Sequence, residues 1–181
     1  KKNGIIAVGL KKEDELVNVV ETSNDDDLVM ASKKGNLLRS NLSKMRPMGR
    51  SAAGIIGMRL EDGDERIGID LVKENSAFFV VTENGFGKRV DYKGFQTKGR
   101  GGKGMAYQKI TEKTGDACVI NTVFDADEII IASKEGMTIR LLAKDIPLQG
   151  RQASGVRILN MKENDSVSDF AVISAEGMEE E

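Results

Sequence analysis

The sequence contains no histidine and no tryptophan, and it has one cysteine and two prolines among its 181 residues. Without histidine, no His-based triad, His-ligated zinc or haem site, or histidine acid–base pair can be built. A single cysteine, Cys118, excludes an internal disulfide and a multi-cysteine metal site. Because its neighbours are apolar, we interpret Cys118 as a small, buried hydrophobic residue. No apolar run approaches the roughly 18 residues that a transmembrane helix needs. These absences predict no cofactor and no membrane partner.

The composition is that of a folded globular chain, because hydrophobic residues make up 39% and charged residues 31%. Its length fits one domain or a piece of a larger one. With no disulfide framework and no secretory signal, we expect a reducing cytoplasm as its location. Since the chain starts at Lys1 without methionine, we also expect it to begin within a longer protein.

What the chain has in abundance is internal repetition. Four glycines that each open an apolar run are spaced by 50, 50 and 51 residues: Gly4, Gly54, Gly104 and Gly155. Three further markers keep the same phase. They are an aspartate in a polar loop (Asp14, Asp64, Asp116, Asp165), a turn glycine followed four residues later by arginine (Arg39, Arg89, Arg140), and Gly-Arg-x-x-x-Gly (at Gly49, Gly99 and Gly150). We therefore divide this one domain into repeats of approximately 1–47, 48–97, 98–148 and 149–181.

Each repeat is predicted to contain four short strands, because apolar and β-branched segments are bounded by Gly, Asp and Asn turns. In the second repeat these strands are about Gly54–Leu60, Glu65–Val72, Ala77–Thr82 and Phe86–Val90. Runs such as Phe78–Val81 and Ile129–Ile131 are typical of strands buried on both faces. No stretch keeps a helical period, so the fold class is all-β, with propeller-like blades. The last repeat supplies two strands only, which predicts an open arc or a fragment of a ring.

Charge follows the same period, although the net charge is only −2. Residues 30–50 carry six Lys and Arg and no acid, 86–104 carry six against one acid, and 134–151 carry four against two. Stacked repeats place these segments in register as a basic stripe, which is the electrostatic footprint of a polyanion partner. Few aromatics accompany them, so phosphate contacts on a duplex are favoured over stacking on single strands. The predicted DNA-binding residues are Lys33, Lys34, Arg39, Lys44, Arg46, Arg50, Lys88, Arg89, Lys93, Lys98, Arg100, Lys103, Arg140, Lys144 and Arg151.

Gly99–Gly104 also fits the dinucleotide-binding pattern G-x-G-x-x-G. That interpretation requires a helix after the loop, and the sequence that follows is strand-like. A flexible cationic loop whose backbone approaches phosphates fits better. The carboxylates lie mostly in turns, where turn chemistry accounts for them.

The repeat resembles that of the C-terminal domain of the bacterial DNA gyrase A protein. The features that carry the resemblance are the Gly-Arg-x-x-x-Gly loop, the apolar strand, the acidic turn and Ser/Thr-x-x-Gly-x-x-x-Arg. The equivalent domain of topoisomerase IV is a close relative. The resemblance covers essentially all of the chain and the last four of the family's six repeats, and it is most specific over Asn84–Arg89, Gly99–Gly104 and Gly150–Val156. It implies a β-pinwheel whose neighbouring blades exchange strands. Arg100–Gly104 matches the core of the family's gyrase A box, which in the family lies in the first repeat.

The resemblance further implies that duplex DNA wraps without sequence preference around a basic outer rim and so supports negative supercoiling. The partners would be DNA, the remainder of gyrase A, and gyrase B, in an ATP-dependent A2B2 holoenzyme at the bacterial nucleoid. Neither Tyr92 nor Tyr107 follows an arginine, as the family's cleavage tyrosine does. No catalysis and no small-molecule substrate are therefore expected of this chain alone.

Two alternatives remain open at this point. One is the topoisomerase IV equivalent, and the other is a propeller-like protein-interaction platform, although the Trp-Asp and Gly-His signatures of such platforms are absent. The acidic end, Glu179–Glu181, is interpreted as a solvated tail, with modulation of DNA binding as the alternative.

Overall fold

The computed structural model describes residues 4–175. These residues form eleven strands and three single-turn 3-10 helices, and they contain no α-helix, so the predicted all-β class is confirmed. The strands are β1 Asp27–Ser32, β2 Asn36–Asn41, β3 Arg66–Leu71, β4 Ala77–Thr82, β5 Phe86–Asp91, β6 Met105–Ala106, β7 Ala117–Val123, β8 Glu128–Ser133, β9 Thr138–Leu142, β10 Val156–Arg157 and β11 Val167–Ile173. The 3-10 helices are η1 Leu42–Lys44, η2 Tyr92–Gly94 and η3 Ala143–Asp145.

The strands make three antiparallel sheets, which we call blades 1, 2 and 3. Their strand orders are β3-β1-β2-β6, β10-β5-β4-β7 and β11-β8-β9. Each blade is built on one hairpin, and its outer strands come from later parts of the chain. In blade 1, for example, Leu37 pairs with Met105, and in blade 2 Gly87 pairs with Val156. Neighbouring blades therefore exchange strands.

This topology agrees with the strand exchange that the family resemblance implies, and it shows that the strands of one 50-residue repeat do not form one blade. The third repeat shows the observed rule most completely. Its first strand, β6, joins blade 1, its second strand, β7, joins blade 2, and its hairpin β8-β9 starts blade 3. The sequence period is thus real, but one period contributes to three consecutive sheets.

Two predicted strands are not formed as predicted. The apolar run after Gly4 has no strand, and it leaves Ile5 and Ile6 65% and 79% exposed. In the predicted strand Gly54–Leu60, pairing is limited to one bridge between Met58 and Gly102. The reason is topological. The equivalent strands of the later repeats, β6 and β10, each pair with a hairpin that lies two blades earlier, so the runs after Gly4 and Gly54 would need a hairpin before blade 1. No hairpin precedes β1 within residues 4–175. The predicted tail Glu179–Glu181 lies outside the described residues.

The hairpin turns explain why glycine recurs at the same phase. Gly35 and Gly85 have φ values of 88° and 76°, which side-chain-bearing residues rarely adopt. A Cβ atom on Gly85 would also lie 2.5 Å from the carbonyl oxygen of Leu159, which follows the exchanged strand β10. Glycine therefore allows both the turn and the close approach of the exchanged segment.

The core lies between blades rather than within a single sheet. Phe78 to Val81 are fully buried, which confirms the prediction of a strand covered on both faces. Phe78 faces the junction with blade 1, where its ring centroid lies 5.0 Å from that of Tyr107. Phe79 faces the junction with blade 3. In blade 3, Ile129 and Ile131 are buried and Ile130 is half-buried, because this last sheet has a neighbour on one face only among the described residues.

Candidate nucleic-acid interface

The two ends of each hairpin separate the predicted cations into two groups. The turn end is the tight turn, at residues 33–35 in blade 1, and the 3-10 end is the single-turn helix that follows the hairpin, η1 in blade 1. A six-residue strand at about 3.3 Å per residue keeps these ends about 20 Å apart. Lys33 and Lys34 therefore lie far from Lys44 and Arg46, although the sequence joins all four in one basic segment.

The turn end of blade 1 is neutralised by acidic groups. Lys34 Nζ lies 2.8 and 3.0 Å from the two carboxylate oxygens of Asp116, and this hydrogen bond raises the pKa of the lysine. Lys33 Nζ lies 3.5 Å from Glu83. The backbone N–H of Lys34 also donates to Asp64 at 2.9 Å. The predicted phosphate contacts at Lys33 and Lys34 therefore compete with acids that are already in place.

The repeated arginine connects one blade to the next. In blade 1, Arg39 Nε donates to Asp27 at 2.7 Å, and its Nη1 donates to the carbonyl oxygens of Tyr92 and Phe95 at 3.1 and 3.4 Å. Burial opposes the ionisation of Asp27, yet hydrogen bonds from Asn41 and Arg39 hold the pKa of this carboxyl below its usual value. Arg39 thus ties the hairpin of blade 1 to η2 in blade 2.

Arg89 makes the equivalent connection from blade 2 to blade 3. Its Nε donates to the carbonyl oxygen of Ile146 at 2.8 Å, its Nη1 pairs with Asp125, and its Nη2 lies 3.4 Å from the carbonyl oxygen of Lys144. Arg89 is 8% exposed. Arg140, the third repeated arginine, is exposed and pairs with Glu128 in its own hairpin.

Lys88 and Arg89 correct the sequence-based site. Lys88 is completely buried, and its Nζ donates to the carbonyl oxygens of Gly150, Arg151 and Ala153 at 2.8, 2.9 and 2.7 Å. Burial lowers the pKa of Lys88 to about 8. Neither side chain is placed to reach a phosphate, because both are enclosed and their donors are used within the protein. The charge pattern cannot distinguish such cations from exposed ones.

Two of the three Gly-Arg-x-x-x-Gly motifs, those at Gly99 and Gly150, form bulges on the outer edges of blades 1 and 2. On blade 1, Lys98 N donates to the carbonyl oxygen of Arg39 and Met105 pairs with Leu37. Residues 98–104 therefore loop out opposite the single residue Leu38. Residues 149–155 loop out in the same way opposite Lys88, between Gln149 N, which donates to Arg89 O, and Val156, which pairs with Gly87. We call residues 98–104 bulge 1 and residues 149–155 bulge 2.

Nine of the predicted cations lie at the 3-10 ends, on the bulges and in the segments that join them. We call this set the basic band: Lys44, Arg46, Arg50, Lys93, Lys98, Arg100, Lys103, Lys144 and Arg151. All are exposed except Arg151, which is half-buried. Within residues 4–175, Lys103 is the one member with a carboxylate within 4.0 Å, Glu61 at 3.4 Å, and that pair is open to water. Among the predicted DNA-binding cations, the basic band is therefore the part left available to a ligand.

Arg151 is the most precisely oriented member of the basic band. Its guanidinium carbon lies 5.9 Å from the ring centroid of Phe95, and its Nη1 donates to the carbonyl oxygen of Ala106 at 3.3 Å. Phe95 follows η2, and Ala106 belongs to β6 on blade 1. Arg151 therefore spans the junction between bulge 2 and the preceding blade.

One exposed cation beside bulge 2 was not predicted from the sequence. Arg157 lies in β10, and its guanidinium carbon is 4.8 Å from the ring centroid of Phe86. It falls outside the basic segments, which end at Gly104 and Arg151. The feature of the sequence that could have indicated it is its position two residues after the repeated Gly155, and the structure places it on an edge strand.

The remaining chemistry of the described residues is limited. The thiol of Cys118 is half-buried, and burial raises its pKa to about 12. Among residues 4–175 no three His, Cys, Asp or Glu side chains are grouped to hold a metal ion. In the same part of the chain, no helix combines the length and apolarity needed to span a membrane.

Strand-exchanging blades with cationic bulges on their edges define an all-β, propeller-like class of protein. The family described as "DNA gyrase C-terminal domain, beta-propeller" matches residues 1–23, 26–73, 77–119 and 127–174. The chain belongs to this family, and the predicted resemblance is confirmed.

Similar proteins agree with this assignment. The chain is 38% identical over 99% of its length to the DNA gyrase A protein of Staphylococcus aureus strain MRSA252, and 37% identical to that of strain NCTC 8325. It spans 20% of the length of these relatives. A solved structure of a DNA gyrase A C-terminal domain superposes with a TM-score of 0.87 at 30% identity, covering 96% of this chain and 59% of that one. A topoisomerase IV C-terminal domain also gives 0.87, at 23% identity over 94% of this chain and 53% of that one, which shows the shared fold.

Proposed function

We propose that this chain binds duplex DNA without sequence preference along the basic band and bends it around the arc of blades. The observation that carries the proposal is the difference between the two hairpin ends. Cations at the turn end of blade 1 are paired with acids, whereas those at the 3-10 ends and on the bulges are largely unpaired and exposed. Lys and Arg on exposed loops supply the phosphate contacts that position a duplex without reading its bases.

Bending follows from the way the cations are distributed over successive blades. Blades 1 and 2 each carry a bulge on the same edge, and the repeated arginines fix each blade to the next. A duplex that contacts consecutive blades must follow the path that their edges set. Contacts to both bulges then offset the cost of bending. In the parent enzyme, this wrapped segment would support negative supercoiling by gyrase A together with gyrase B, in the bacterial cytoplasm where the nucleoid lies.

The same surface would serve the topoisomerase IV equivalent, whose fold matches equally well by TM-score. We favour the gyrase assignment because the curated relatives at 37 to 38% identity are gyrase A proteins. In either case the chain would contribute DNA binding and no chemical step of its own.

Fluorescence anisotropy of a labelled duplex of about 40 base pairs, titrated across a salt series, tests the proposal. If all nine band cations contact phosphates, the slope of log affinity against log salt is about −8, since each contact contributes about −0.9. Replacing Arg50, Arg100, Lys103 and Arg151 by alanine should make the slope shallower by about 3.6.

A matched control removes four exposed cations outside the basic band, by replacing Lys12, Lys113, Lys134 and Lys162 with alanine. This variant has the same change in net charge, so a general electrostatic effect would weaken both variants alike. A slope changed only by the band substitutions supports the proposal. Equal effects, or no binding at low salt, would contradict it.

A further inference from the structure

The two bulges fold over different side chains, although they occupy equivalent positions. Bulge 1 lies over Leu38 and contains Gly101 and Gly102, where bulge 2 has Gln152 and Ala153. A Cβ atom on Gly102 would lie 3.5 Å from Leu38 Cδ1, so the bulge packs directly on an apolar side chain. Bulge 1 thus combines backbone freedom with an apolar support.

Bulge 2 instead encloses an ammonium group. The three carbonyl oxygens around Lys88 Nζ, from Gly150, Arg151 and Ala153, lie at 2.7 to 2.9 Å. An ammonium has three N–H donors and no acceptor, so every donor of Lys88 is used. A further backbone contact is the same in both bulges. Arg59 N donates to Gly102 O in bulge 1, and Lys109 N, one repeat later, donates to Ala153 O in bulge 2. This contact therefore does not explain why the two bulges fold over different side chains.

We infer that Lys88 is a positioning residue, whose buried ammonium folds bulge 2 and so fixes Arg151 for contact with DNA phosphate. The inference rests on the proposed function for its DNA-binding part only. Lys88 donates to the carbonyl oxygen of Arg151 itself. The side chain of Arg151 is the member of the basic band that spans the blade junction. Lys88 itself does not contact DNA.

The folding of bulge 2 is tested without DNA. Lysine ammonium protons normally exchange too quickly with water to be seen, whereas a fully buried ammonium with three acceptors is protected. In the 181-residue chain labelled with 15N-lysine, we expect one protected ammonium signal at neutral pH that disappears in Lys88→Met. The signal should remain in Leu38→Met, which changes the equivalent position under bulge 1. Absence of a protected signal from the unmodified chain would overturn the inference, and this arm does not depend on how well any variant folds.

Amide hydrogen exchange separates positioning from general destabilisation. The N–H of Ala153 donates to Gly150 O inside bulge 2 at 3.1 Å. In Lys88→Met its exchange should become at least about tenfold faster, while amides of Phe78–Val81 in β4 remain protected. Faster exchange in both places would indicate a loss of overall stability and would contradict a local positioning role.

A double-mutant cycle tests the link to DNA. Arg151→Ala and Lys88→Met should each make the salt slope shallower by about 0.9, and the double variant should also lose about 0.9, because both remove the same phosphate contact. A loss of about 1.8 in the double variant would mean that Lys88 contacts phosphate itself, which would overturn the inference. If Arg151→Ala leaves the slope unchanged, the proposed DNA contact at bulge 2 fails, while the ammonium signal and amide exchange still decide the folding role.

Discussion

The repeated arginine provides a test of the architecture, because one residue type at one repeat position has three different environments. Arg89 is enclosed, with 9% of its side chain exposed, and it donates to Ile146 O at 2.8 Å and to Asp125. Arg140 has 59% of its side chain exposed and pairs with Glu128 alone. Arg39 lies between these two in exposure.

Replacing Arg89 by methionine should lower the free energy of unfolding by about 2–4 kcal/mol. The charge-assisted bond to Ile146 O accounts for about 1.5–3 kcal/mol, since its buried carbonyl loses its donor, and lost packing adds the remainder. Asp125 is 78% exposed and regains water, so it adds little. Arg140→Met should cost less than about 1 kcal/mol, as exposed ion pairs do, and Arg39→Met should fall between the two.

Urea denaturation followed by far-ultraviolet circular dichroism measures this order directly, because the chain has no tryptophan to report by fluorescence. The order Arg89, Arg39, Arg140 in decreasing cost supports the connection between blades. Equal costs for Arg89→Met and Arg140→Met would refute it, and so would a stable Arg89→Met variant whose main defect is a shallower salt slope for DNA binding.

The turn glycines Gly85 and Gly136 share a backbone conformation but differ in their surroundings. Gly85→Ala should be far more destabilising than Gly136→Ala in thermal unfolding. Both have positive φ, but a Cβ on Gly85 meets a carbonyl oxygen at 2.5 Å while one on Gly136 meets nothing within 4 Å. Gly136→Ala should cost about 1 kcal/mol from the strained φ alone, and similar losses would contradict the close approach of the exchanged strand. The Cys118 thiol should resist iodoacetamide at pH 8 in the folded chain and react once urea unfolds it, as mass spectrometry would show. Because the folded-state pKa is about 12 and the ordinary value is 9.0, this group favours folding below pH 9 and loses that contribution as the pH rises toward 12; rapid labelling at pH 8 without denaturant would contradict its burial.

The repeat period, the all-β class and the hairpins were predictable from the sequence. Turn glycines, β-branched runs and apolar strands depend on local chemistry that one sequence displays. Strand exchange was not predictable from spacing alone, because a 50-residue period gives the order of strands and not the sheet that each joins. Only the family resemblance implied it. The pairing of Met105 with Leu37, nearly 70 residues away, has no local signal.

The candidate interface was predictable in outline and not residue by residue. Lys88 and Leu38 occupy the same repeat position, yet one holds a bulge through an ammonium and the other through apolar contact. Lys34 and Lys44 belong to the same basic segment, yet one is paired with an acid and the other is exposed. The charge pattern of the sequence treats these lysines alike, because the groups that pair with them or cover them come from distant segments of the chain.

The most direct test of DNA wrapping is a topology assay. Relaxed plasmid is incubated with the 181-residue chain, treated with a type I topoisomerase, freed of protein and resolved on a gel. Wrapping around the basic band predicts topoisomers displaced from the relaxed distribution in proportion to the protein added. The displacement should be lost when Arg50, Arg100, Lys103 and Arg151 are replaced by alanine, and kept when Lys12, Lys113, Lys134 and Lys162 are replaced. An undisplaced distribution despite saturated binding, or loss of displacement in both variants, would contradict wrapping on this surface.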